Sequence, residues 1–424
     1  MKALSLAVIP LWWAEIAAAP SRVLATPPAE FTPNIRVGPG GNQYKDSPHF
    51  RVYGASDSAA NTVLQTLESA YDCFINGQGW RSTGLSFNQE NDEGPWYKMN
   101  VYDVANLGAN TAANTGTDST AGLSFLNVVT QWMSTPSITV HEFGHAMTYA
   151  ERYWINQGRT GAWWETVANF VADTFITSDV CAASRAKYNQ PSGDTLMNLN
   201  KVISDSFQII VDGSSGTGNY YEAWPFLTYI TNNPDNIAGL GMANFPNVWR
   251  KYKRNSNETP LHILDQLVSP IKIQTVVDRY WARMAYVDLG HAKAKALYEK
   301  QKSQFNYANL DSLGGGAYRV KSARQPRYMG ANIIPLRVTG TSISATVTAT
   351  APYTASLAIK ASNGSVRYVE VVDNKAQASL ASGEEASLVV VNTPNTLYLY
   401  DPFSLTSDVS RGLDYRVQLT GASV

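Results

Sequence analysis

The spacing of apolar residues changes along the chain and separates a mixed first part, a helical middle part and a strand-rich end. After Ser56, apolar residues recur every three or four positions as far as Ile75, which predicts an amphipathic helix. Around this helix, alternating or continuous apolar runs predict short strands at residues 49–52, 97–104 and 123–129. The stretch at residues 105–120 is dense in Asn, Thr, Gly and Asp and is predicted to be a loop.

The second half of the chain shows a further change of pattern. From Cys181 to about Ser312 the apolar spacing is helical, and the glycine run at residues 314–316 marks a boundary. Beyond it, about 100 residues of short alternating segments, separated by turn residues, predict a β-sandwich. The chain is therefore predicted to be α+β, with parts at about 49–155 (α/β), 156–316 (α-rich) and 317–424 (all-β).

Composition and charge exclude several classes of protein. Hydrophobic residues make up 44% and charged residues 16% of the chain, which indicates a globular protein. The net charge of −1 provides no basic field that would attract nucleic acid or an anionic membrane. Beyond the N terminus, no segment is long and apolar enough to span a bilayer. The oligomeric state is left open.

The first residues predict an export signal at residues 1–25. Lys2 gives a short positive segment, residues 4–13 are apolar, and small residues follow. Cleavage is expected between Ala17 and Ala25, with Ala25 preferred. A membrane anchor is the alternative, but it needs ~20 apolar residues and this run is shorter. We therefore expect a secreted, extracellular protein.

Two kinds of covalent modification are suggested by the sequence. Cys73 and Cys181 are the two cysteines, and in an oxidising compartment they could pair or stay apart. Glycosylation sequons begin at Asn363 and Asn257, and the second is less favourable because Pro260 follows it.

The strongest chemical signal is the pentapeptide H-E-F-G-H at residues 141–145, within a helix predicted at residues 137–153. His141 and His145 are one helical turn apart, so both imidazoles can reach one metal ion. Glu142 can place a carboxylate beside the remaining coordination position. The alternative is a surface helix that carries two His by coincidence, and the sequence further along decides between them.

A catalytic zinc site needs a third protein ligand. The metzincin arrangement requires Gly and His where this chain has Thr148 and Glu151, so that class is excluded. Glu151 also points away from both imidazoles on the same helix. The gluzincin arrangement takes a Glu from a second helix, and Glu165 lies at that position. The predicted ligands of Zn²⁺ are therefore His141, His145 and Glu165.

Two residues beyond Glu165 are candidates for supporting roles. Asn169 is one turn further and faces the same way, where gluzincins usually carry an Asp that bonds the other ring nitrogen of the first zinc His. Asn169 can accept the same hydrogen bond without bringing a charge. Asp173, a further turn along, could assist or could merely be solvated.

These spacings resemble those of the gluzincin, or thermolysin-like, zinc metallopeptidases. More narrowly, the motifs H-E-F-G-H, W-W-E-T-x-A-N and Y-x-x-W-P-F, between His141 and Phe226, look like a family of secreted gluzincin-like proteins of poorly defined function. The resemblance implies a zincin-like catalytic domain at residues 26–316 with an α-rich lower lobe, followed by the β-sandwich at 317–424. It also implies Glu142 as catalytic base, and it carries over no substrate.

The expected reaction is hydrolysis of a peptide bond, with Glu142 taking a proton from the attacking water and passing it to the leaving nitrogen. The developing oxyanion needs a further donor, and a tyrosine is favoured because the other His lie in no recognisable context. Tyr221 is the first choice and Tyr220 the second, and simple packing is the alternative for each. The strand at 123–129 is a candidate edge strand for pairing with substrate, or else an ordinary core strand.

The leading hypothesis is thus a secreted zinc metallopeptidase that acts on a polypeptide or glycoprotein. One alternative is a zinc-binding adhesion or carbohydrate-recognition protein that keeps the fold without turnover. Another is a zinc hydrolase that acts on glycans. Substituting Glu142 by Gln would separate an enzyme from a binding protein, because it should leave the metal bound and abolish hydrolysis.

Overall fold

The computed structural model describes residues 26–152, Trp154 and residues 158–424. The predicted export signal at residues 1–25 lies outside the described residues. The fold is α+β, as predicted, with three five-stranded sheets. Among the described residues, no helix combines the length and the apolar character needed to cross a membrane.

The first sheet forms the start of the fold. Its strands along the chain are β1 (Tyr44–Asp46), β2 (Phe50–Tyr53), β3 (Met99–Val104), β4 (Ala113–Asp118) and β5 (Leu123–Val129). Their spatial order is β1-β2-β3-β5-β4, in which β2, β3 and β5 are parallel and the two outer strands are antiparallel to their neighbours. Helix α1 (Asp57–Tyr71) packs on this sheet, and the Ser56 side chain caps it by accepting a hydrogen bond from the Ala59 N–H.

Strand β4 corrects one prediction and decides between two alternatives. Residues 105–120 were expected to be a loop, but residues 113–118 form β4, which is the edge strand beside the cleft. The strand at 123–129, for which an edge position and a core position were the alternatives, lies inside the sheet as β5. The polar composition of β4 did not indicate a strand, because the side chains of this edge strand are only partly buried. Its extended conformation is held by hydrogen bonds to β5.

The middle of the chain is helical, as its apolar spacing predicted. The helices are α2 (Pro136–Ala150), α3 (Gly161–Thr177), α4 (Ala182–Lys187), α5 (Leu199–Ser204), α6 (Asn219–Glu222), α7 (Pro225–Asn232), α8 (Asn247–Arg250), α9 (Pro260–Val268), α10 (Ile273–Met284) and α11 (Ala292–Gln301). Within the stretch predicted to be helical, apolar residues continue at helical spacing from 196 to 210, but only the short helix α5 forms there. The reason is long-range pairing: the carbonyls of Ser206 and Phe207 accept hydrogen bonds from the backbone N–H groups of Ala331 and Arg327.

The C-terminal part contains two antiparallel sheets. Its strands are β6 (Leu310–Gly314), β7 (Ala317–Val320), β8 (Ala331–Val338), β9 (Ser342–Ala349), β10 (Thr354–Lys360), β11 (Val366–Glu370), β12 (Lys375–Ser379), β13 (Glu385–Val391), β14 (Tyr415–Thr420) and β15 (Ala422–Ser423), with a short helix α12 (Ser407–Ser410) before β14. The sheet orders are β11-β10-β13-β8-β15 and β12-β9-β14-β7-β6. An apolar cluster that includes Val347, Leu357 and Val417 draws its residues from both sheets.

The two parts share many contacts. Helix α10 packs on β10 and β13, and the Ser356 hydroxyl lies 2.9 Å from a carboxylate oxygen of Asp278. The Tyr400 hydroxyl donates to the carbonyl of Val211 at 3.1 Å. The division of the chain near residue 316 remains a prediction, because the glycines at 314–316 form the turn between β6 and β7, which pair with each other.

The predicted modification sites have distinct environments. Cys73 and Cys181 form a disulfide that joins the helical turn after α1 to the short helical turn before α4. Asn363 is exposed in the turn between β10 and β11 and accepts a hydrogen bond from the Ser365 N–H. Asn257 is also exposed, but the Thr259 of its sequon is fully buried as the N-cap of α9.

Candidate metal centre

Helix α2 presents the H-E-F-G-H motif to a cleft. It begins at Pro136, a residue suited to a first helical turn, and ends at Ala150 rather than at the predicted residue 153. Val140, Phe143 and Met147 are fully buried and fix the helix against the core. Because 3.6 residues make one turn, the two His of the motif share a face directed away from those residues.

Helix α3 packs closely on α2 at Gly144. A Cβ atom on Gly144 would lie 3.0 Å from the Cα of Ala168 and 3.2 Å from the Cβ of Val171. Gly144 therefore permits the close approach of the α3 backbone. The close approach brings Glu165, on α3, opposite the two His of α2.

The side chains of His141, His145 and Glu165 converge on one point. The Nε2 atoms of the two imidazoles are 3.2 Å apart. Oε2 of Glu165 lies 3.2 Å from Nε2 of His141 and 3.5 Å from Nε2 of His145. Each residue offers one ligand atom toward the others, so the cluster could hold a metal ion.

The electrostatics of the cluster favour a charged carboxylate. Burial opposes ionisation of Glu165, but hydrogen bonds with His141 and His145 outweigh it and hold the pKa of that carboxyl well below its usual range. Burial lowers the pKa of His141, but the hydrogen bond with Glu165 and the negative charges of Glu142 and Glu165 outweigh it and raise that pKa above its usual value. Glu165 is thus an anion beside two nitrogen donors.

Asn169 contacts the cluster of His141, His145 and Glu165 from behind. Its Oδ1 lies 2.8 Å from Nδ1 of His141, on the ring side opposite Nε2. Its amide Nδ2 donates to the carbonyl of Tyr221 at 2.7 Å. Asn169 therefore bonds the first His of the motif and connects α3 to α6.

Glu142 is buried beside the cluster and is held by Thr115 on β4. The Thr115 hydroxyl lies 2.8 Å from Oε2 of Glu142 and 2.9 Å from the backbone carbonyl of Glu142. The same residue thus bonds both the side chain and the main chain of Glu142, which restricts the rotation of its carboxylate.

An open cleft of about 640 Å³ contains the cluster. One wall comes from residues 110–115, which lead into and form the start of β4. The other walls come from side chains of α2, of α3, of the segment before α5 and of α6: Ile138, Tyr149, Trp164, Leu196 and Tyr221. The cleft is polar at its floor and largely uncharged elsewhere.

Of the two candidate tyrosines, Tyr221 lines the cleft and is 41% exposed. Burial of part of the ring and then the negative charge of Glu165 raise the pKa of Tyr221 well above its usual value. Tyr220 is not among the cleft-lining residues; its ring packs against Phe403, with centroids 5.6 Å apart. Its backbone carbonyl accepts a hydrogen bond from Thr166.

Asp173 lies away from the two His of the motif. Eight residues of helix separate it from Glu165, a rise of about 12 Å. Its buried carboxylate instead bonds His291 at 2.8 Å, the Thr195 hydroxyl at 2.8 Å and the Leu196 N–H at 2.7 Å. Asp173 therefore orders the segment that carries Leu196 into the cleft wall, a different role from the two expected for it.

Thr115 is the site residue that the sequence reasoning missed, because it lies in the stretch assigned to a loop. The only available signal was the alternation of Thr115 and Thr117, two β-branched residues at strand spacing within an otherwise polar segment.

The family model described as "Family of unknown function (DUF6055)" matches residues 41–424. The chain belongs to this family. No curated protein matches the DUF6055 chain. Among solved structures it is similar to the ZmpB metallopeptidase from Clostridium perfringens, with 10% identity and a TM-score of 0.30, over 84% of this chain and 68% of that chain. A likeness at this level leaves the function to be argued from the site itself.

Proposed function

We propose that this protein is a zinc-dependent metallopeptidase that hydrolyses peptide bonds in a polypeptide or glycoprotein. The proposal rests on one observation: two imidazole nitrogens and one carboxylate oxygen lie 3.2–3.5 Å from one another on the floor of an open cleft. Next to them lies Glu142, the carboxylate of the same motif.

The donor set fits zinc. Atoms bound at about 2.0–2.2 Å in a tetrahedral site lie roughly 3.3–3.6 Å apart, close to the spacing of the three donors here. Imidazole and carboxylate are common ligands of Zn²⁺, and three of them leave one position for reaction. Bound in this position, zinc would supply Lewis acidity toward a carbonyl and toward water.

Glu142 is proposed as the general base. Its carboxylate lies beside the donors on the same helix and is oriented by Thr115 at 2.8 Å. It would accept the proton of the attacking water and deliver it to the leaving nitrogen. Because the hydrogen bond from Thr115 already orders the carboxylate, less conformational freedom is lost when it approaches the reacting atoms.

The polypeptide would lie along β4. This strand ends the sheet, so one edge of its backbone is free to pair with an extended chain, and residues 113–115 line the cleft. Tyr221, on the opposite wall, is proposed to donate its hydroxyl to the oxyanion that develops on the carbonyl. Export of the protein is proposed from the composition of residues 1–25 and agrees with the disulfide between Cys73 and Cys181.

Metal analysis and a cleavage assay test the proposal together. Purified protein should contain about one zinc per chain, a stoichiometry set by the three ligands. Incubation with a peptide library should give cleavage that a chelator abolishes and added zinc restores, as read by mass spectrometry. Zinc-free protein, or cleavage that a chelator does not affect, contradicts the proposal.

Glu142→Gln is the matched variant. It should retain zinc and lose at least a thousandfold in activity, about the size expected from removing a general base together with its charge. If wild-type protein binds zinc but cleaves no peptide, a binding function is favoured. Release of sugar from a glycoprotein with an intact polypeptide would instead indicate a glycan hydrolase.

A further inference from the structure

Phe403, from the C-terminal part of the chain, is seated close to α3. Its side chain is 53% exposed, yet one edge of the ring rests on two glycines. A Cβ on Gly161 would lie 3.1 Å from the ring, and a Cβ on Gly213 would lie 2.6 Å from it. Side chains at either position would push against the ring, so both glycines make room for it.

The turn that carries Phe403 is held by hydrogen bonds. The Phe403 N–H donates to the side chain of Asp401, and the Ser404 N–H donates to the backbone carbonyl of Asp401, each at 2.9 Å. The carbonyl of Pro402 accepts from the Gly213 N–H at 3.0 Å. The exposed ring is therefore presented in a fixed position, with little conformational entropy left to lose on contact with a partner.

The ring is continuous with the wall of the cleft. The centroids of Phe403 and Tyr220 are 5.6 Å apart, and those of Tyr220 and Tyr221 are 4.4 Å apart. Tyr221 lines the cleft. Gly161, beneath Phe403, precedes Glu165 by four residues on α3, a rise of about 6 Å.

The rise of about 6 Å between Gly161, beneath the Phe403 ring, and Glu165 is short enough for one bound polypeptide to contact both the ring and the cluster. An extended chain advances about 3.3–3.6 Å per residue, so a side chain two or three residues from the reacting bond could contact the ring. Phenylalanine has no hydrogen-bonding group, and its exposed face is therefore suited to an apolar side chain rather than to a charged one.

We propose that Phe403, together with Tyr220 and Tyr221, forms a subsite for a bulky apolar side chain of the polypeptide substrate. This inference rests on the proposed peptidase function and assigns to the C-terminal part a direct contribution to specificity. The occupant is a residue within three positions of the cleaved bond, and the subsite would favour Leu, Met, Phe or Tyr over small or charged residues.

The test compares cleavage by zinc-loaded wild-type protein, Phe403→Ala and Phe403→Gln. Wild-type protein should prefer a bulky apolar residue at one position near the cleaved bond. Phe403→Ala should lower kcat/KM for those peptides by about tenfold, the size expected from losing part of one apolar burial, and should leave peptides with Ala or Ser at that position within about twofold. Phe403→Gln keeps a long side chain over the two glycines, so it should fold normally and lose the same preference.

Leu313→Ala is the matched control, because Leu313 is 55% exposed but lies in the β6–β7 hairpin. It should cleave every peptide as wild-type protein does. An unchanged preference in both Phe403 variants, or an equal loss on all peptides, overturns the subsite while leaving the peptidase function intact. Absence of any cleavage by wild-type protein overturns the peptidase function and the subsite together.

Discussion

Asn169 fixes the tautomer of His141. The Asn169 amide group is occupied by the carbonyl of Tyr221, so its Oδ1 faces the imidazole at 2.8 Å. An oxygen acceptor at that position holds a proton on Nδ1 of His141, so Nε2, on the side of Glu165, is the ring nitrogen that can bind a metal. One neutral amide thus prepares the first His for metal binding and ties α3 to the segment that carries Tyr221.

Asn169→Ala should therefore weaken metal binding. Loss of an outer partner of a ligating His typically reduces affinity by about 10–100-fold. The measurement is competition for zinc with a chelating dye at constant pH. Asn169→Asp can accept the same hydrogen bond and should stay close to wild-type affinity. Equal affinity of Asn169→Ala and wild-type protein would show that the contact does not support the metal.

The cluster of His141, His145 and Glu165 was predictable from helical spacing together with the gluzincin arrangement. His141 and His145 share a helix face by spacing alone, and Ala150 and Gly161, which bound the two helices, are close enough in sequence for Glu165 to come opposite them. Asn169 follows from the same periodicity, one turn beyond Glu165. Its contact with His141 was expected from the resemblance to gluzincins, which usually carry an Asp at this place.

Other features depended on contacts between distant parts of the chain. Strand β4 forms because β5 supplies its hydrogen bonds, and the polar composition of residues 113–118 does not predict that pairing. Asp173 took another role because His291, 118 residues away, reaches it through the fold. Phe403 was assigned no role because nothing local indicates that Gly161 and Gly213 would lie beneath it.

Thr115→Val should impair turnover without loss of metal. The substitution keeps the β-branched shape and removes the hydroxyl that lies 2.8 Å from the Glu142 carboxylate. A hydrogen bond to a charged group contributes about 1.5–3 kcal/mol, so kcat should fall roughly 10–100-fold. Zinc content and kcat are measured on the same preparation, and Thr115→Ser should restore most of the activity. Loss of zinc together with activity would mean that Thr115 is structural.

Gly144→Ala should lower the free energy of unfolding. Alanine improves helix propensity by about 1 kcal/mol, but its Cβ would meet the Ala168 backbone at 3.0 Å. Overpacking of this kind typically costs about 1–3 kcal/mol, so the net change should be near zero to about 2 kcal/mol of destabilisation. Chemical denaturation measures it. Zinc affinity should fall as well, because α3 and Glu165 must shift away from His141. A variant that is more stable than wild-type protein and binds zinc with unchanged affinity would show that the packing of α3 on α2 does not require glycine at position 144.

Asp278 should make stability depend on pH. It is fully enclosed between α10 and β10, and burial raises its pKa to about 6 against the opposing hydrogen bond from Ser356. The folded state therefore holds the proton more tightly than the unfolded state, and stability contributed by the neutral carboxyl is lost as pH rises from about 4 to about 6. The loss is on the order of 3 kcal/mol.

Asp278→Asn removes this titration. The free energy of unfolding is measured by urea denaturation at pH 4 and at pH 8 for both proteins. The difference between the variant and wild-type protein should favour the variant more at pH 8 than at pH 4. Asp311→Asn, at an exposed position, serves as the control and should leave the pH dependence unchanged. Parallel pH profiles of Asp278→Asn and wild-type protein would exclude the buried carboxyl as the cause.

Removal of the disulfide should destabilise the fold while leaving the metal centre assembled at room temperature. Cys73 and Cys181 are 108 residues apart, and a link over such a span restricts the unfolded chain strongly, for a typical effect of about 2–5 kcal/mol. Asp72 bridges the same elements through the Ser184 hydroxyl at 2.7 Å and the Lys187 ammonium at 2.8 Å, so the native contact should persist without the link. The double variant Cys73→Ala/Cys181→Ala should therefore unfold at lower urea concentration and bind zinc as wild-type protein does. Wild-type protein in strong reductant is the matched comparison and should move toward the variant. An unchanged free energy of unfolding would mean that the disulfide does not stabilise the folded state relative to the unfolded chain. A loss of zinc at 25 °C would mean that the disulfide itself positions α3.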